Sequence, residues 1–118
     1  MKRVLIVEDD EDVRSALAAL LEGEGYSVVE AADGAEALTQ LRSPDEICLI
    51  LLDLWMPVMD GWQFRAEQRN EAALAGVPVV VITADTGARH RARDFGEAGW
   101  MTKPIDFNRL LELVNAHC

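Results

Sequence analysis

Acidic side chains follow two apolar segments of the sequence. The segment VLIV runs into Glu8, Asp9 and Asp10, and the segment ICLILL runs into Asp53. Carboxylates that share one rim repel each other, and burying even one of them unpaired costs several kcal/mol. A hard divalent cation removes this conflict, because Mg²⁺ prefers a few carboxylate oxygens together with water and phosphate oxygens. If the two segments are neighbours, these acids predict a site for Mg²⁺ or Mn²⁺.

Two further polar side chains stand at the ends of later apolar segments. Thr83 ends the run VPVVVIT, and Lys103 follows WMT. A carboxylate can attack a phosphoryl group and form an acyl phosphate. A metal ion, an ammonium group and a hydroxyl can neutralise charge on the transferred oxygens. This inventory therefore predicts phosphoryl transfer to a side chain, with Asp53 as the acceptor.

Short apolar segments alternate with segments of helical periodicity along the whole chain. The predicted strands are 4–7, 26–31, 47–52, 77–83 and 100–103. The predicted helices are one that ends at Gly23, then 34–41, 60–70, 88–97 and 105–116. Such alternation indicates right-handed crossovers and a parallel sheet with helices on both faces. We expect one α/β domain over residues 1–118, with its ligands beyond the carboxyl ends of the strands.

Simpler roles stay open for each of these polar residues. An acid just before a helix is usually a cap, which is the role we expect for Asp10 and the alternative for the two acids before it. Thr83 alone would be a strand-end threonine, and Lys103 alone a surface lysine. Asp53 ends a strand that should be buried, and buried carboxylates without a purpose are rare. The joint placement of these residues at strand ends favours a site.

Charge and cysteine content narrow the class of protein. The formal net charge of −10 argues against binding to DNA, RNA or anionic membranes, which are polyanions. Cys48 and Cys118 show no metal-site or disulfide spacing, so we expect one buried core cysteine and one free cysteine. The apolar run Val4–Val7 is too short for a signal peptide or a membrane span. We therefore expect a cytoplasmic location.

In these segments the sequence resembles the receiver domain of bacterial two-component response regulators, and in particular the single-domain chemotaxis type. The matching segments are, in chain order, VLIVEDDEDVR, LLDLWMPVMDG, VVVITA and WMTKPID. The resemblance covers the whole chain. It implies a flavodoxin-like, doubly wound (βα)5 sandwich whose five-stranded parallel sheet has the order 2-1-3-4-5.

The resemblance also implies a function. The protein would be a phosphoacceptor switch rather than an enzyme, catalysing only its own phosphorylation and slow autodephosphorylation. A sensor histidine kinase or phosphotransfer protein would supply the phosphoryl group to Asp53 with Mg²⁺ present. Binding of an unnamed effector would then change at the surface of helix 4, strand 5 and helix 5. We expect a monomer or weak dimer, either a stand-alone receiver or a piece of a longer regulator or hybrid kinase.

The resemblance assigns the metal ligands residue by residue. Asp9 and Asp53 would bind the ion directly, together with the backbone carbonyl of Trp55. Glu8 would act through water. A shift of this acidic pair toward Asp10 is the alternative, which the spacing of VEDDE disfavours.

The remaining roles implied by the resemblance concern the phosphoryl group and the switch. Thr83 would hydrogen-bond the phosphoryl group, and Lys103 would pair with it. Thr83 and Trp100 would form the switch, with tryptophan at a position that is usually Tyr or Phe in this family. The Lys103-Pro104 peptide bond would be cis.

Two local features suggest properties of this particular chain. Trp55, two residues after the acceptor, could shield a phosphoryl group from water and lengthen its lifetime. The predicted fourth helix carries the basic residues Arg89, His90, Arg91 and Arg93. That run is either a solvated face or a docking patch for an acidic partner.

Three other functions fit the sequence less well than that of a receiver. A phosphohydrolase using an aspartyl-phosphate would want a second acid close after the nucleophile, where Leu54, Trp55 and Met56 stand. A flavodoxin-like cofactor binder would want a phosphate-binding loop after the first strand, where the acids would repel phosphate. A receiver-like module that is never phosphorylated is disfavoured by the complete set of site residues.

Overall fold

The computed structural model describes residues 2–92 and 94–118. Its strands are β1 Lys2–Val7, β2 Ser27–Ala31, β3 Glu46–Leu52, β4 Val79–Thr83 and β5 Gly99–Thr102. Its α-helices are α1 Glu11–Gly23, α2 Gly34–Arg42, α3 Gly61–Asn70 and α4 Phe107–His117. Apart from the segment after β4, these elements lie within one or two residues of the predicted bounds, which is the usual uncertainty of an element end.

All five strands are parallel and form one sheet in the order β2-β1-β3-β4-β5. Successive side chains of a strand point to opposite faces, so each strand contributes to two apolar cores. Val7 and Leu52 pack in the core that includes α2 and α3, whereas Ile6 and Leu51 pack in the core that includes α1 and α4. The predicted fold class and strand order are confirmed. None of the helices in the described residues is long and apolar enough to cross a membrane.

The prediction of a helix over 88–97 is wrong. Only Ala88–Arg91 is helical, as a short 3₁₀ turn. The Ala92 N–H donates to the Arg89 carbonyl, three residues back, at 3.2 Å. Arg93, which belongs to the basic run predicted on this helix, lies outside the described residues.

Side chains of α3 account for the missing helix. The guanidinium of Arg65 donates to the carbonyl of Phe95 at 2.8 Å and to that of Gly96 at 3.0 Å. These bonds pair the two backbone carbonyls with a side chain of α3, so the segment is held by tertiary contacts and not by hydrogen bonds of its own helix. Gly96 has φ of 69°, in the left-handed region that favours glycine and ends helical segments. The apolar spacing of the segment survives, since Ala88, Ala92 and Phe95 are all buried.

The expectation for the cysteines is also wrong. Cys48 is half-buried on β3 and forms a disulfide with Cys118, with their Cα atoms 5.5 Å apart. The two residues are 70 positions apart in the chain, so their pairing depends on where α4 packs against the sheet and has no local spacing signal. The disulfide joins the last helical turn to the central strand, at the end opposite the acidic strand termini.

Replacing Cys118 by serine should lower the free energy of unfolding of the oxidised protein by about 4 kcal/mol, because the disulfide closes a long loop in the unfolded chain. Urea unfolding measures the loss. Dithiothreitol should lower the wild-type midpoint to that of C118S and leave C118S unchanged. Equal midpoints for oxidised wild type and C118S would contradict a disulfide between these residues.

Candidate functional site

Backbone hydrogen bonds carry the sheet one residue past its strands and so position the acidic residues. Val7 of β1 lies opposite Leu52 of β3, and the Asp53 N–H donates to the Val7 carbonyl at 3.0 Å. On the other side, the Lys103 N–H donates to the Thr83 carbonyl at 2.8 Å. Four strand ends therefore meet at one edge of the sheet, as the sequence predicted.

The carboxylates of Glu8, Asp9 and Asp53 form a cluster at this edge. Ligand oxygens of the three residues lie within 4.8 Å of one another. Glu8 and Asp53 are buried, whereas Asp9 is exposed. Asp10 is engaged elsewhere, because its carboxylate accepts the N–H groups of Asp12 and Val13 at 3.0 and 3.2 Å as the N-cap of α1.

Lys103 supplies the positive charge of the site. Its ammonium group pairs with Glu8 Oε1 and lies 3.7 Å from Asp53 Oδ2. Burial favours the neutral amine, but the hydrogen bond that Lys103 donates to Glu8 and the charges of the nearby acids outweigh it, so the pKa of Lys103 is raised. The lysine stays charged and joins two carboxylates that would otherwise repel each other.

Glu8 is the most perturbed acid of the cluster. Burial, followed by the proximity of Asp53, raises the pKa of Glu8 to about 7, against the opposing effect of Lys103. Its Oε2 atom is buried and has no hydrogen-bond partner among the described residues. A buried carboxylate oxygen without a partner is costly, and a hard cation or its bound water would satisfy it. The donor set of this edge therefore fits Mg²⁺.

The loop between Asp53 and α3 is fixed by close backbone packing. A Cβ atom on Gly61 would lie 2.6 Å from the Asp53 carbonyl oxygen, so only glycine fits there. The Gly61 N–H donates to the Leu54 carbonyl at 2.8 Å. Asp60 caps α3 in a capping box with Gln63. The start of α3 thus packs against the backbone of Asp53 and fixes its position.

Three side chains form a clamp beside Asp53: Trp55, Asp85 and Arg91. The Trp55 Nε1–H donates to Asp85 Oδ2 at 3.0 Å, and Arg91 donates to the same oxygen at 2.7 Å. The Arg91 guanidinium lies 5.8 Å from the centre of the Trp55 ring, within reach of a cation–π contact. The hydrogen bond from Trp55 is the main cause of the lowered pKa of Asp85.

The clamp is connected to Thr83. The hydroxyl oxygen of Thr83 accepts the Asp85 N–H at 3.1 Å, and Thr83 is fully buried. Sequence reasoning missed Asp85. Its position could have indicated it, because Asp85 lies two residues after Thr83, the last residue of β4, which the sequence had already assigned to the site.

A row of aromatic rings runs from this loop to β5. Ring centres are 6.2 Å apart for Trp55 and Trp62, 5.6 Å for Trp62 and Phe95, and 6.5 Å for Phe95 and Trp100. Trp100 is 7% exposed and meets Phe95 edge to face. In this state the predicted switch residue is already inside the protein.

Comparison with known proteins assigns the family. The family model for the response regulator receiver domain matches residues 4–115. The chain belongs to this family.

Individual relatives agree with the assignment. PilH of Pseudomonas aeruginosa is 33% identical to this chain, over 98% of it and 97% of PilH. A response regulator receiver protein of Pseudomonas putida is 30% identical with a TM-score of 0.90, covering 98% of this chain and 96% of that one. TrrA of Thermotoga maritima, solved in complex with Mg(2+)-BeF, is 29% identical with a TM-score of 0.87 over 100% of both chains.

Membership of the receiver family indicates the general function, which is that of a phosphoacceptor signalling switch and not of a metabolic enzyme. All of the predicted site residues except Trp100 lie at the acidic edge of this receiver or in the loops beside it. The Lys103-Pro104 peptide bond is cis, the isomer that the resemblance implies.

Glu8→Gln should change the pH dependence of stability in Mg²⁺-free protein kept in EDTA. The folded pKa of Glu8 is about 7 and its ordinary value is 4.5, so the folded state holds a proton that the unfolded state has lost in this window. The free energy of unfolding of the wild-type receiver should therefore fall as pH rises from 4.5 to 7, by up to about 1.4 kcal/mol per pH unit.

The variant should lack that slope, so its stability relative to wild type should increase with pH in urea titrations. Glu22→Gln, an exposed glutamate of α1, is the matched control and should run parallel to wild type. Parallel curves for wild type and Glu8→Gln would contradict the raised pKa.

Proposed function

We propose that Asp53 accepts a phosphoryl group from the phosphohistidine of a sensor kinase or phosphotransfer protein. A carboxylate oxygen of Asp53 attacks phosphorus, the bond to the histidine nitrogen breaks, and that nitrogen keeps the bonding electron pair. The observation that carries the proposal is a buried Asp53 with the Lys103 ammonium 3.7 Å from Oδ2. The product is an acyl phosphate, so one negative charge is replaced by about two.

Asp9 and Asp53 would hold Mg²⁺, or Mn²⁺, with the backbone carbonyl of Trp55, and Glu8 would act through water. When bound, the ion neutralises negative charge on the transferred oxygens. Support comes from the three-carboxylate cluster and from the unpartnered Oε2 of Glu8. TrrA, the relative from Thermotoga maritima, has been solved with Mg(2+)-BeF.

The residues around the acceptor have separable tasks in this proposal. Lys103, now shared between Glu8 and Asp53, would pair with the phosphoryl group. The Thr83 hydroxyl, which now accepts from the Asp85 N–H, would donate to a phosphoryl oxygen. Movement of Thr83 toward the phosphoryl group would lengthen its hydrogen bond with the Asp85 N–H, loosen the clamp of Trp55, Asp85 and Arg91, and shift the population of the loop after β4.

The output we propose is altered protein binding at the surface of the 3₁₀ turn, β5 and α4, with Thr83 and Trp100 as switch residues. Partners would be the phosphodonor and an effector protein, without direct contact to nucleic acid or membrane, on a monomer or weak dimer. One receiver domain would occupy residues 1–118. The only reactions that the protein would catalyse are its own phosphorylation and the slow hydrolysis of its own phosphoryl group.

We also propose a cytoplasmic location. The disulfide makes this proposal testable, since reducing compartments favour free thiols. Trapping thiols with an alkylating agent at lysis, followed by mass spectrometry, should find Cys48 and Cys118 alkylated. A fully oxidised pair in freshly trapped cells would contradict the cytoplasmic location.

The fluorescence of Trp55 should report occupation of the site. We expect a change on adding Mg²⁺ and a further change on adding beryllofluoride, because the indole is half exposed and close to the acceptor through its backbone N–H, 3.5 Å from Asp53 Oδ1. The Asp53→Asn variant is the control and should lose the response to beryllofluoride. Identical responses in the two proteins would overturn the assignment of Asp53.

Trp55→Ala should shorten the lifetime of the phosphoryl group. In this proposal the indole, held by its bond to Asp85, shields the phosphoryl group, and its removal would admit water to the acyl phosphate. We expect hydrolysis to be several-fold faster, measured by loss of radiolabelled phosphate from the purified protein.

Trp55→Phe is the matched control for the shielding effect. It keeps a ring over the site but loses the Nε1–H donor, so a near wild-type lifetime would assign the effect to shielding and an Ala-like lifetime to the hydrogen bond. A half-life unchanged or lengthened in Trp55→Ala would refute shielding.

A further inference from the structure

A cleft lies between α3 and the segment that follows β4, away from the acidic edge. Its free volume is about 530 Å³, which is within the range of binding pockets. The residues that matter for its chemistry are Trp62, Arg65, Arg69, His90, Arg91 and Phe95. Neither β5 nor α4 lines it, and it shares with the output surface proposed above only His90 and Arg91 of the 3₁₀ turn.

The charge of the cleft is opposite to that of the protein. Its lining carries three guanidinium groups and one imidazole against a single carboxylate, that of Asp94. The protein as a whole has a formal net charge of −10. Among the described residues, neither Arg65 nor Arg69 forms an ion pair with a carboxylate. This local excess of positive charge calls for an anionic occupant.

Hydrogen bonds and aromatic packing hold the walls of the cleft in place. Arg65 is 8% exposed and is held by the Phe95 and Gly96 carbonyls and by Gln68. Phe95 is buried and meets Trp62 edge to face. The rim is more open, because Arg69, His90 and Arg91 are exposed. The cleft thus offers an aromatic wall with cations around it.

The arrangement favours carboxylates on a peptide over a polyphosphate. Phosphate sites are typically cradled by several backbone N–H groups at a helix start or a glycine-rich loop. Here the backbone groups that α3 engages are carbonyls, those of Asp94, Phe95 and Gly96, so these contacts provide no N–H cradle for a phosphate. Cations spread along a rim match carboxylates spaced along an extended chain, and the aromatic wall suits one apolar side chain among them.

We propose that this cleft binds a short acidic segment of a partner protein, anchored by one apolar side chain against Trp62 and Phe95. The binding does not require phosphorylation, so it stands apart from the function proposed for Asp53. Arg91 lines the cleft and also pairs with Asp85. An occupant that takes Arg91 would release the clamp on Trp55, which links this cleft to the phosphoacceptor loop.

The test uses the intact, unphosphorylated protein and a synthetic peptide of glutamates around one central leucine. Its matched peptide replaces every glutamate by lysine. Indole N–H signals of the three tryptophans, in ¹⁵N NMR spectra, report where the peptide binds. We expect the glutamate peptide to shift Trp62 strongly, Trp55 less and Trp100 least, and the lysine peptide to shift none of them.

Charge-reversal variants distinguish binding in the cleft from a general effect of the protein's net charge on peptide affinity. Arg69→Glu should weaken binding of the glutamate peptide roughly tenfold, because a rim attraction becomes a repulsion. Arg109→Glu, on the exposed face of α4, makes the same change in net charge and should leave affinity unchanged. Both arginines are exposed, so both variants should fold, and a thermal unfolding measurement would check this.

Three outcomes would overturn the proposal. One is no shift of Trp62 with the glutamate peptide. Another is equal loss of affinity in Arg69→Glu and Arg109→Glu. The third is full displacement of the peptide by inorganic pyrophosphate with the same pattern of shifts, which would make the cleft a phosphate site.

Discussion

The acidic edge of the sheet depends on Lys103, whose ammonium group lies between Glu8 and Asp53. Two buried carboxylates side by side cannot both stay charged without a cation, and burial together with the proximity of Asp53 raises the pKa of Glu8 to about 7 even with Lys103 present. One lysine is not enough to satisfy the pocket, since Glu8 Oε2 has no partner among the described residues. This residual deficit of positive charge is the physical basis of the divalent-ion site that we propose at this edge.

The remainder of the fold keeps that pocket in place. Parallel strands bring their carboxyl ends to one edge, and the hydrogen bonds of Asp53 to Val7 and of Lys103 to Thr83 extend the pairing to the site residues themselves. The tight contact of Gly61 with the Asp53 carbonyl leaves the Asp53 backbone little freedom. On the open side, the clamp of Trp55, Asp85 and Arg91 joins the site to the basic cleft, because Arg91 also lines that cleft.

The sequence was sufficient for features that depend on local pattern, and insufficient for those that depend on tertiary pairing. Apolar runs that end in Asp53, Thr83 and Lys103 predicted the strand ends, because a buried parallel strand needs such a run. The helix over 88–97 was predicted from apolar spacing alone, but Arg65 of α3 takes up the carbonyls at its end. The Cys48–Cys118 disulfide and the row of aromatic rings join distant parts of the chain, so no local spacing in the sequence predicts either of them.

The most direct test of the account is the intact mass of the protein after incubation with acetyl phosphate. We predict the mass of one added phosphoryl group in wild type with Mg²⁺, little or none with EDTA, and none in Asp53→Asn under either condition. Borohydride reduction of the acyl phosphate, followed by peptide mapping, should place the modification at Asp53. Equal phosphorylation of wild type and Asp53→Asn, or a label mapped to another residue, would contradict the central claim.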